Sequence, residues 1–470
     1  MVPLHKIFQT VGLVFGLSAL PALAQLETRA SVPVNSSPYS IAVGDFNRDG
    51  KKDLAVVAFS SGKVAVLLGN GDGTFQKAIY YDAVASSVAA ADFRNNGILD
   101  LAFTDNLSNN LQVLLGNGDG TFGPSVFYAS PDFPDAIGVG DFNGDHNLDV
   151  VTIEESGYCH CISVFLGNGD GTFQQPPISM LPPTPPVAIG IGDFNRDGNL
   201  DLVAVGQFGS PGQADILMGN GDGTFTLGDS YAIGSDPQSV AVADFNGDHI
   251  LDLAIADAES GDIDILLGNG DGTFRQGPVI SGLAFPGAIQ KGDFNGDGKV
   301  DLAFLTGVHS TVLNVLLGNG DGSFKPAMTF PLPGESAAIA SADFNGDHRN
   351  DIVVADYLGN AVITLLNTGV VTFSPTTPLN FNKQAAGTTS APQTVTLTNT
   401  GKTDLKIASV QVAGQFAMTS TCEKSVAAGA NCSISITFSP KTKGPKSGAV
   451  SIIDSASSKP QVIELSGTGT

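Results

Sequence analysis

The sequence predicts an all-β protein: a seven-bladed β-propeller followed by an immunoglobulin-like β-sandwich. Three observations carry this expectation. An acidic nonapeptide occurs seven times, starting at Asp45, Asp92, Asp141, Asp193, Asp244, Asp293 and Asp343, at intervals of 47, 49, 52, 51, 49 and 50 residues. A steady period of this size marks a stacked or radial array. Each repeat holds four short apolar runs separated by Gly, Asn and Asp clusters, the pattern of a four-stranded blade. Near residue 374 the composition changes: 375–470 holds eight Lys and four acids, +4 against −28 for the rest of the 470-residue chain.

Taken in chain order, Met1 to Ala24 reads as a cleaved secretory signal. It has Lys6, an apolar stretch Ile7 to Leu20, and an Ala22-Leu23-Ala24 cleavage site before Gln25. The residue directly after that site is Gln25 rather than Cys, and no later run of 18 apolar residues occurs, so a secreted, periplasmic or cell-surface protein without a membrane span is expected. The propeller is assigned to 25–373 and the sandwich to 374–470. In the first repeat the runs are Ser40-Ile41-Ala42-Val43, Leu54-Ala55-Val56-Val57, Val64-Ala65-Val66-Leu67-Leu68, and a weaker one from Lys77 to Tyr81. The seventh repeat lacks its fourth run. The segment 25–34 stands before the first blade where a fourth strand falls in the other units, and is expected to close the ring by pairing with the seventh blade. After 374, alternating runs such as Thr394-Val395-Thr396-Leu397 and Cys432-Ser433-Ile434-Ser435-Ile436-Thr437-Phe438 indicate the sandwich.

The formal charge of −24 argues against nucleic acid or anionic membranes as partners, which need clustered Lys and Arg. The nonapeptides alone hold 20 of the 46 acidic residues, so the acidity sits where a cation offsets it. Their pattern, D-x-N-x-D-x-x-x-D, places oxygen side chains at positions 1, 3, 5 and 9, which suits calcium. Six loops keep all four: Asp45, Asn47, Asp49, Asp53; Asp141, Asn143, Asp145, Asp149; Asp193, Asn195, Asp197, Asp201; Asp244, Asn246, Asp248, Asp252; Asp293, Asn295, Asp297, Asp301; and Asp343, Asn345, Asp347, Asp351. About six structural calcium ions are expected. In the second loop Arg94 replaces Asn and Asn96 replaces Asp, so a guanidinium is expected to stand in for the ion beside Asp92 or Asp100. Position 12 of the first loop is Val56, so this is not an EF-hand. In the six loops with a full donor set, position 6 is Gly in Gly50, Gly198 and Gly298 but His in His146, His249 and His348, and these histidines are read as turn residues tolerating positive φ.

A second motif, Gly-Asn-Gly-Asp-Gly, recurs at Gly69, Gly116, Gly167, Gly219, Gly268 and Gly318, and turn chemistry explains it. A second cation site on Asp72, Asp119, Asp170, Asp222, Asp271 and Asp321 is the alternative. Cys422 and Cys432, ten residues apart, can staple a loop. Cys159 and Cys161 flank His160. On one strand they point to one face, where a bridge is strained, and a metal reading lacks further Cys or His nearby.

With these motifs, residues 40 to 373 resemble the FG-GAP/VCBS repeat family, which also builds the propeller head of integrin α subunits. The resemblance implies calcium in the loop between the first two strands of a blade, and adhesion or extracellular recognition without catalysis. The tail resembles the Ig-like ASH/HYDIN or choice-of-anchor D domains through Thr398-Asn399-Thr400-Gly401, the Cys422 and Cys432 pair, Phe438-Ser439-Pro440 and Leu465-Ser466-Gly467-Thr468-Gly469. The expected function is therefore calcium-stabilised, non-catalytic recognition of an extracellular protein or glycan. Its alternatives are a polysaccharide lyase or hydrolase, and a structural spacer. Recognition is expected on the irregular loops opposite the acidic ones, with Phe133, Tyr158, Phe208, Phe285 and Tyr357 as candidate contacts.

Overall fold

A computed structural model describes residues 26–154, 159–207, 210–295, 297–307, 310–346, 349–367, 371–374, 379–399, 404–454 and 461–470. The expected signal, Tyr158, Phe208, Asp347 and His348 lie outside the described residues. The protein is all-β, and seven of its sheets are four-stranded antiparallel blades. Blade 1 runs Pro38–Gly44, Asp53–Ala58, Lys63–Leu67 and Ile79–Asp82 from the inside outward. Blades 2 to 6 repeat this order. The first strand of each blade packs against the first strands of its two neighbours, and blade 1 meets blade 7, so the array closes into a ring.

Burial explains the strand sequences. The second strand of a blade lies between two neighbouring blades and is buried end to end, as in Asp53–Ala58, Asp201–Gly206 and Asp351–Asp356. It is therefore a continuous apolar run rather than an alternating one. At the end of the first strand, beside the acidic loops, a side chain has no room: a Cβ on Gly44 would lie 2.6 Å from Leu99 Cδ1 and from Phe46 Cε1.

The seventh blade takes its outermost strand from the other end of the chain. Its own strands are Ser336–Ala342, Asp351–Asp356 and Ala361–Asn367. Leu26–Pro33 pairs antiparallel with the last of these, from Leu26 opposite Asn367 to Pro33 opposite Ala361, with one register shift between Thr28 and Ala30. Leu26 and Val34 are buried in the two cores flanking this blade.

The C-terminal sandwich packs one sheet of Val371–Ser374, Gln393–Asn399, Asn431–Phe438 and Phe416–Ser420 against another of Leu379–Gln384, Gln461–Gly469, Gly444–Asp454, Leu405–Ala413 and Ser425–Val426. Its core holds Val395, Leu397, Ile434, Ile436, Val450, Ile452 and Ile463, with Phe381, Phe416 and Phe438 in mutual ring contact. The domain boundary falls slightly earlier than residue 374. Val371–Ser374 pairs with Gln393–Asn399, so Val371, Thr372 and Phe373 belong to the sandwich. Their apolar character resembles the end of a repeat, but their hydrogen-bond partners lie downstream.

Removing residues 26–34 uncovers the edge of Ala361–Asn367 and strips two apolar contacts, Leu26 and Val34, from the ring. The truncated chain is expected to melt at least about 5 °C lower and to self-associate through the open edge. Differential scanning calorimetry and light scattering check this, and an unchanged melt with a monodisperse monomer contradicts it.

Candidate functional site

The ninth aspartate of every acidic loop is wholly buried: Asp53, Asp100, Asp149, Asp201, Asp252, Asp301 and Asp351. Each lies at the start of the second strand and bridges the two regular loops of its blade. In six blades its Oδ2 accepts the N–H of the Phe at position 2, as from Phe46, Phe142, Phe194, Phe245, Phe294 and Phe344, at 2.8–2.9 Å. Its Oδ1 accepts the N–H of the residue ending the third strand or opening the next turn: Gly69, Gly116, Gly167, Gly219, Gly268, Gly318 or Asn367, at 2.7–2.8 Å. Both oxygens thus satisfy buried amides that would otherwise cost about 1–3 kcal/mol each.

The remaining donors turn inward around the loop. In the first loop the Asp49 amide lies 3.0 Å from both Asp45 Oδ1 and Asn47 Oδ1, so these oxygens converge on one point. Asp145, Asp197, Asp248 and Asp297 repeat this arrangement. The other oxygen of the first Asp accepts the position-6 amide, as from Gly50, His146, Gly198, His249 and Gly298. His146 and His249 have φ of +67° and +65° and exposed rings, which is turn geometry. Position 4 also adopts positive φ, even as Arg48 and Arg196, a demand that sequence reading missed.

Burial pushes the carboxyls of Asp53, Asp149, Asp201, Asp252 and Asp301 upward, and the neighbouring loop carboxylates add to it: Asp149 and Asp252 rise to about 6 and Asp301 to about 7. Three carboxylates and an amide oxygen are a donor set that suits a hard cation. Among the described residues no three His, Cys, Asp or Glu side chains are already gathered into a finished cage. The second loop carries its own cation. Arg94 bonds Asp100 through Nη2 at 2.6 Å and Nε at 3.2 Å, and Nη2 also donates to Gly116 O at 2.6 Å. The guanidinium therefore pairs with Asp100, while Asp92 keeps its turn amides.

The second motif clamps blade to blade. Its Asp accepts from the backbone and hydroxyl of the Thr or Ser two residues on, as Asp72 does from Thr74 at 3.0 and 2.6 Å, which is turn chemistry. Its last Gly then reaches the adjacent blade. Gly73, Gly120, Gly171, Gly223, Gly272 and Gly322 donate to the carbonyls of Phe344, Phe46, Phe93, Phe142, Phe194 and Phe245 at 2.9–3.1 Å. Around the same junctions six Phe–Phe pairs meet edge to face with centroids 5.2–5.9 Å apart, from Phe75–Phe344 to Phe245–Phe324. Blade 7 lacks the motif, and there Asn367 Nδ2 supplies the missing donor to Phe294 O at 2.7 Å. The recurrence of Phe in both motifs was the available sequence signal for this clamp.

The hydrogen bonds of the ninth Asp place both regular loops on one face. The irregular loops form the other. There a pocket of about 190 Å³ is lined by Tyr39, Phe59, Ser86, Asn106, Asp135 and Tyr357, drawn from blades 1, 2, 3 and 7. Tyr39 is half exposed and its ring contacts Phe59. Asn106 donates to Asp135 at 2.7 Å and its buried Oδ1 has no partner. Of the expected aromatics, Tyr357 lines this pocket and Phe285 a separate one on blades 5 and 6, while Phe133 lines neither. Also near this face, Asp257 is wholly buried beside the Asp264 carboxylate. Burial, then the charges of Asp264 and Asp262, push its carboxyl up to about 8. Cys159–Cys161 and Cys422–Cys432 are both disulfides.

Asp201→Ala orphans the amides of Phe194 and Gly219 and is expected to cost about 2–5 kcal/mol, whereas Asp222→Ala, in an exposed turn, costs under about 1 kcal/mol. Urea denaturation checks both. Asp257 keeps its proton in the folded chain and loses it near its ordinary value of 3.8 when unfolded. Its contribution therefore erodes stability as pH rises from about 4 to about 8 and is constant above that. Asp257→Asn removes this slope, so its stability gain should be larger at pH 8 than at pH 5; equal gains contradict it.

Six overlapping stretches, 45–103, 92–152, 141–204, 193–255, 244–304 and 293–354, match the FG-GAP-like repeat, about two thirds of the chain in all. Residues 368–462 match the abnormal spindle-like microcephaly-associated ASPM-SPD-2-Hydin (ASH) domain. No curated protein matches the sequence. Among solved structures, the chain is similar in fold to BBS1N, crystallised in complex with ARL6DN and soaked with lead, at 12% identity over 73% of this chain and 97% of that one, with a TM-score of 0.53. A protein from Lactobacillus plantarum matches at 13% identity over 65% and 88% of the two chains, with a TM-score of 0.49. An ASH/PapD-like domain of human CEP192 matches at 17% identity over 21% and 84%, with a TM-score of 0.17. The chain belongs to the FG-GAP-like repeat family, as a seven-bladed propeller carrying a C-terminal ASH domain.

Proposed function

We propose that this is a secreted, calcium-stabilised recognition protein that binds an extracellular glycan or protein on the face opposite its acidic loops and performs no catalysis. FG-GAP-like repeats and an ASH domain indicate a binding or adhesion-type protein. The observation that carries the finer reading is the contrast between the two faces. The repeated carboxylates are committed to backbone amides and blade junctions, which suits a scaffold. The pocket of Tyr39, Phe59, Ser86, Asn106, Asp135 and Tyr357 combines aromatic surfaces with a few polar groups, the usual make-up of a ligand site.

Calcium is assigned to the six loops with a full donor set, and its role is structural. The second loop supports this reading, since Arg94 puts a positive charge against the ninth Asp where the Asn and Asp of the other loops are replaced. The ion would neutralise carboxylates already crowded by folding, coupling stability to metal. A catalytic pair, by contrast, is expected to be unique to one place in the ring rather than copied around it.

The test has two arms. EDTA should lower the melting temperature by at least about 5 °C, with calcium restoring it, and the Arg94→Asn, Asn96→Asp double variant should bind one more calcium than the parent. An unchanged melt rejects the structural ions. On a glycan and extracellular-protein array with calcium, binding should be lost in Tyr39→Ala and Tyr357→Ala without a change in melting. Turnover of a polysaccharide rejects the non-catalytic reading, and absence of any binding favours a spacer.

A further inference from the structure

The two disulfides of this chain look alike in exposure and differ in what surrounds them. In each, one sulfur-bearing residue is half-buried, Cys159 or Cys422, and the other is buried, Cys161 or Cys432. Cys422–Cys432 closes a separation of ten residues, which restricts the unfolded chain and staples the sandwich. Cys159–Cys161 closes a separation of two, the span for which that stabilisation is smallest. Its position is also distinctive. It lies at the tip of the second hairpin of blade 3, on the irregular face, with His160 exposed between the sulfurs at a φ of +48°.

Next to it is a buried acid that the calcium loops and the pocket do not use. Glu154 donates its N–H to Cys161 O at 3.0 Å, one rung beyond the Ile153–Ile162 pair. Directly opposed residues of an antiparallel pair project to the same face with Cβ atoms about 5 Å apart. The Glu154 side chain is wholly buried, its Oε1 accepting from Ser130 at 2.9 Å and Thr152 at 3.0 Å and its Oε2 having no partner. Burial pushes this carboxyl up to about 7, with the neighbouring hydroxyls opposing the shift, so it holds a proton near neutrality. Among the described residues, the other titratable groups at this tip are His160 and Asp132, whose Oδ2 accepts from Cys159 N at 3.0 Å.

We propose that Cys159–Cys161 is a thiol–disulfide exchange site, with Glu154 as the proton donor to the departing Cys161 sulfur. An incoming thiolate attacks Sγ of the accessible Cys159. The S–S bond breaks, its electron pair passes to Cys161 Sγ, and that sulfur takes the proton of Glu154. A second thiol, as its thiolate, attacks the sulfur of the first in the mixed disulfide and releases Cys159, which takes a proton from solvent. Two thiols lose two electrons and become a disulfide, while the protein disulfide becomes two cysteine thiols. The protons of the incoming thiols balance those gained by Cys159 and by Glu154 as it recharges. Exchange of this type is governed by access to the attacked sulfur and by stabilisation of the leaving one, which Cys159 and Glu154 supply respectively.

The test uses the folded full chain with reduced glutathione, quenched alkylation and peptide mapping of both cysteine pairs. Cys159–Cys161 should open at least about tenfold faster than Cys422–Cys432, and equal rates overturn the proposal. The rate constant per glutathione thiolate should fall as pH rises through about 7, where Glu154 loses its proton. Glu154→Gln should abolish that inflection and slow exchange about tenfold at pH 6, with partial recovery in Glu154→Asp. If the Gln variant does not fold, the parent profile decides: a rate constant flat across pH 6–8 overturns the role of Glu154.

Discussion

The two hydrogen bonds accepted by each ninth aspartate are the constraint on which the propeller depends. A carboxylate at the buried start of a strand is costly unless its oxygens are engaged. Here one oxygen closes the acidic loop on itself and the other ties that loop to the far hairpin of the same blade. Removing the side chain would leave two strong donors in a dry environment, so the residue is required by the fold whether or not an ion is bound. The acidic motif is therefore in the first place a structural staple, and any cation it holds completes an arrangement that the backbone already imposes.

From that staple the ring follows. Holding the two loops together presents the Phe carbonyl of one blade to the Gly amide of the next, and brings their aromatic rings into edge-to-face contact. Glycine is needed at that donor because its φ is positive and because a Cβ on Gly73 would lie 2.7 Å from Leu366 of the adjoining blade. Blade 7 shows which part of the device matters. It has lost the glycine-rich turn, yet Asn367 keeps both functions, its backbone N–H serving Asp351 and its side-chain amide serving Phe294. The chain preserves the hydrogen bonds while discarding the motif.

The same commitment divides the molecule into two faces. Regular loops are occupied with their own amides and with neighbouring blades, so little of their chemistry is free. The irregular face carries the pocket beside Tyr39 and Tyr357, the small disulfide ring and the buried acids Glu154 and Asp257. Side chains there answer to no repeat, which is the condition for specialised chemistry on a rigid scaffold.

The period, the four runs per repeat and the composition shift made the fold class legible, because each depends on local alternation and spacing alone. The departure at Arg94 was legible too, since a cation within an otherwise acidic loop has few places to go. The partner of that cation, Asp100 rather than Asp92, was not. Nor was the clamp between Gly73 and Phe344, whose residues lie on blades joined only by ring closure, nor the sorting of Phe373 into the sandwich. The sequence by itself determined which residues are strands, turns and oxygen donors, because those properties belong to a residue and its neighbours in the chain. Tertiary structure decided which oxygens meet which amides and which loops share a face, because burial and hydrogen-bond satisfaction are settled only when distant blades pack together.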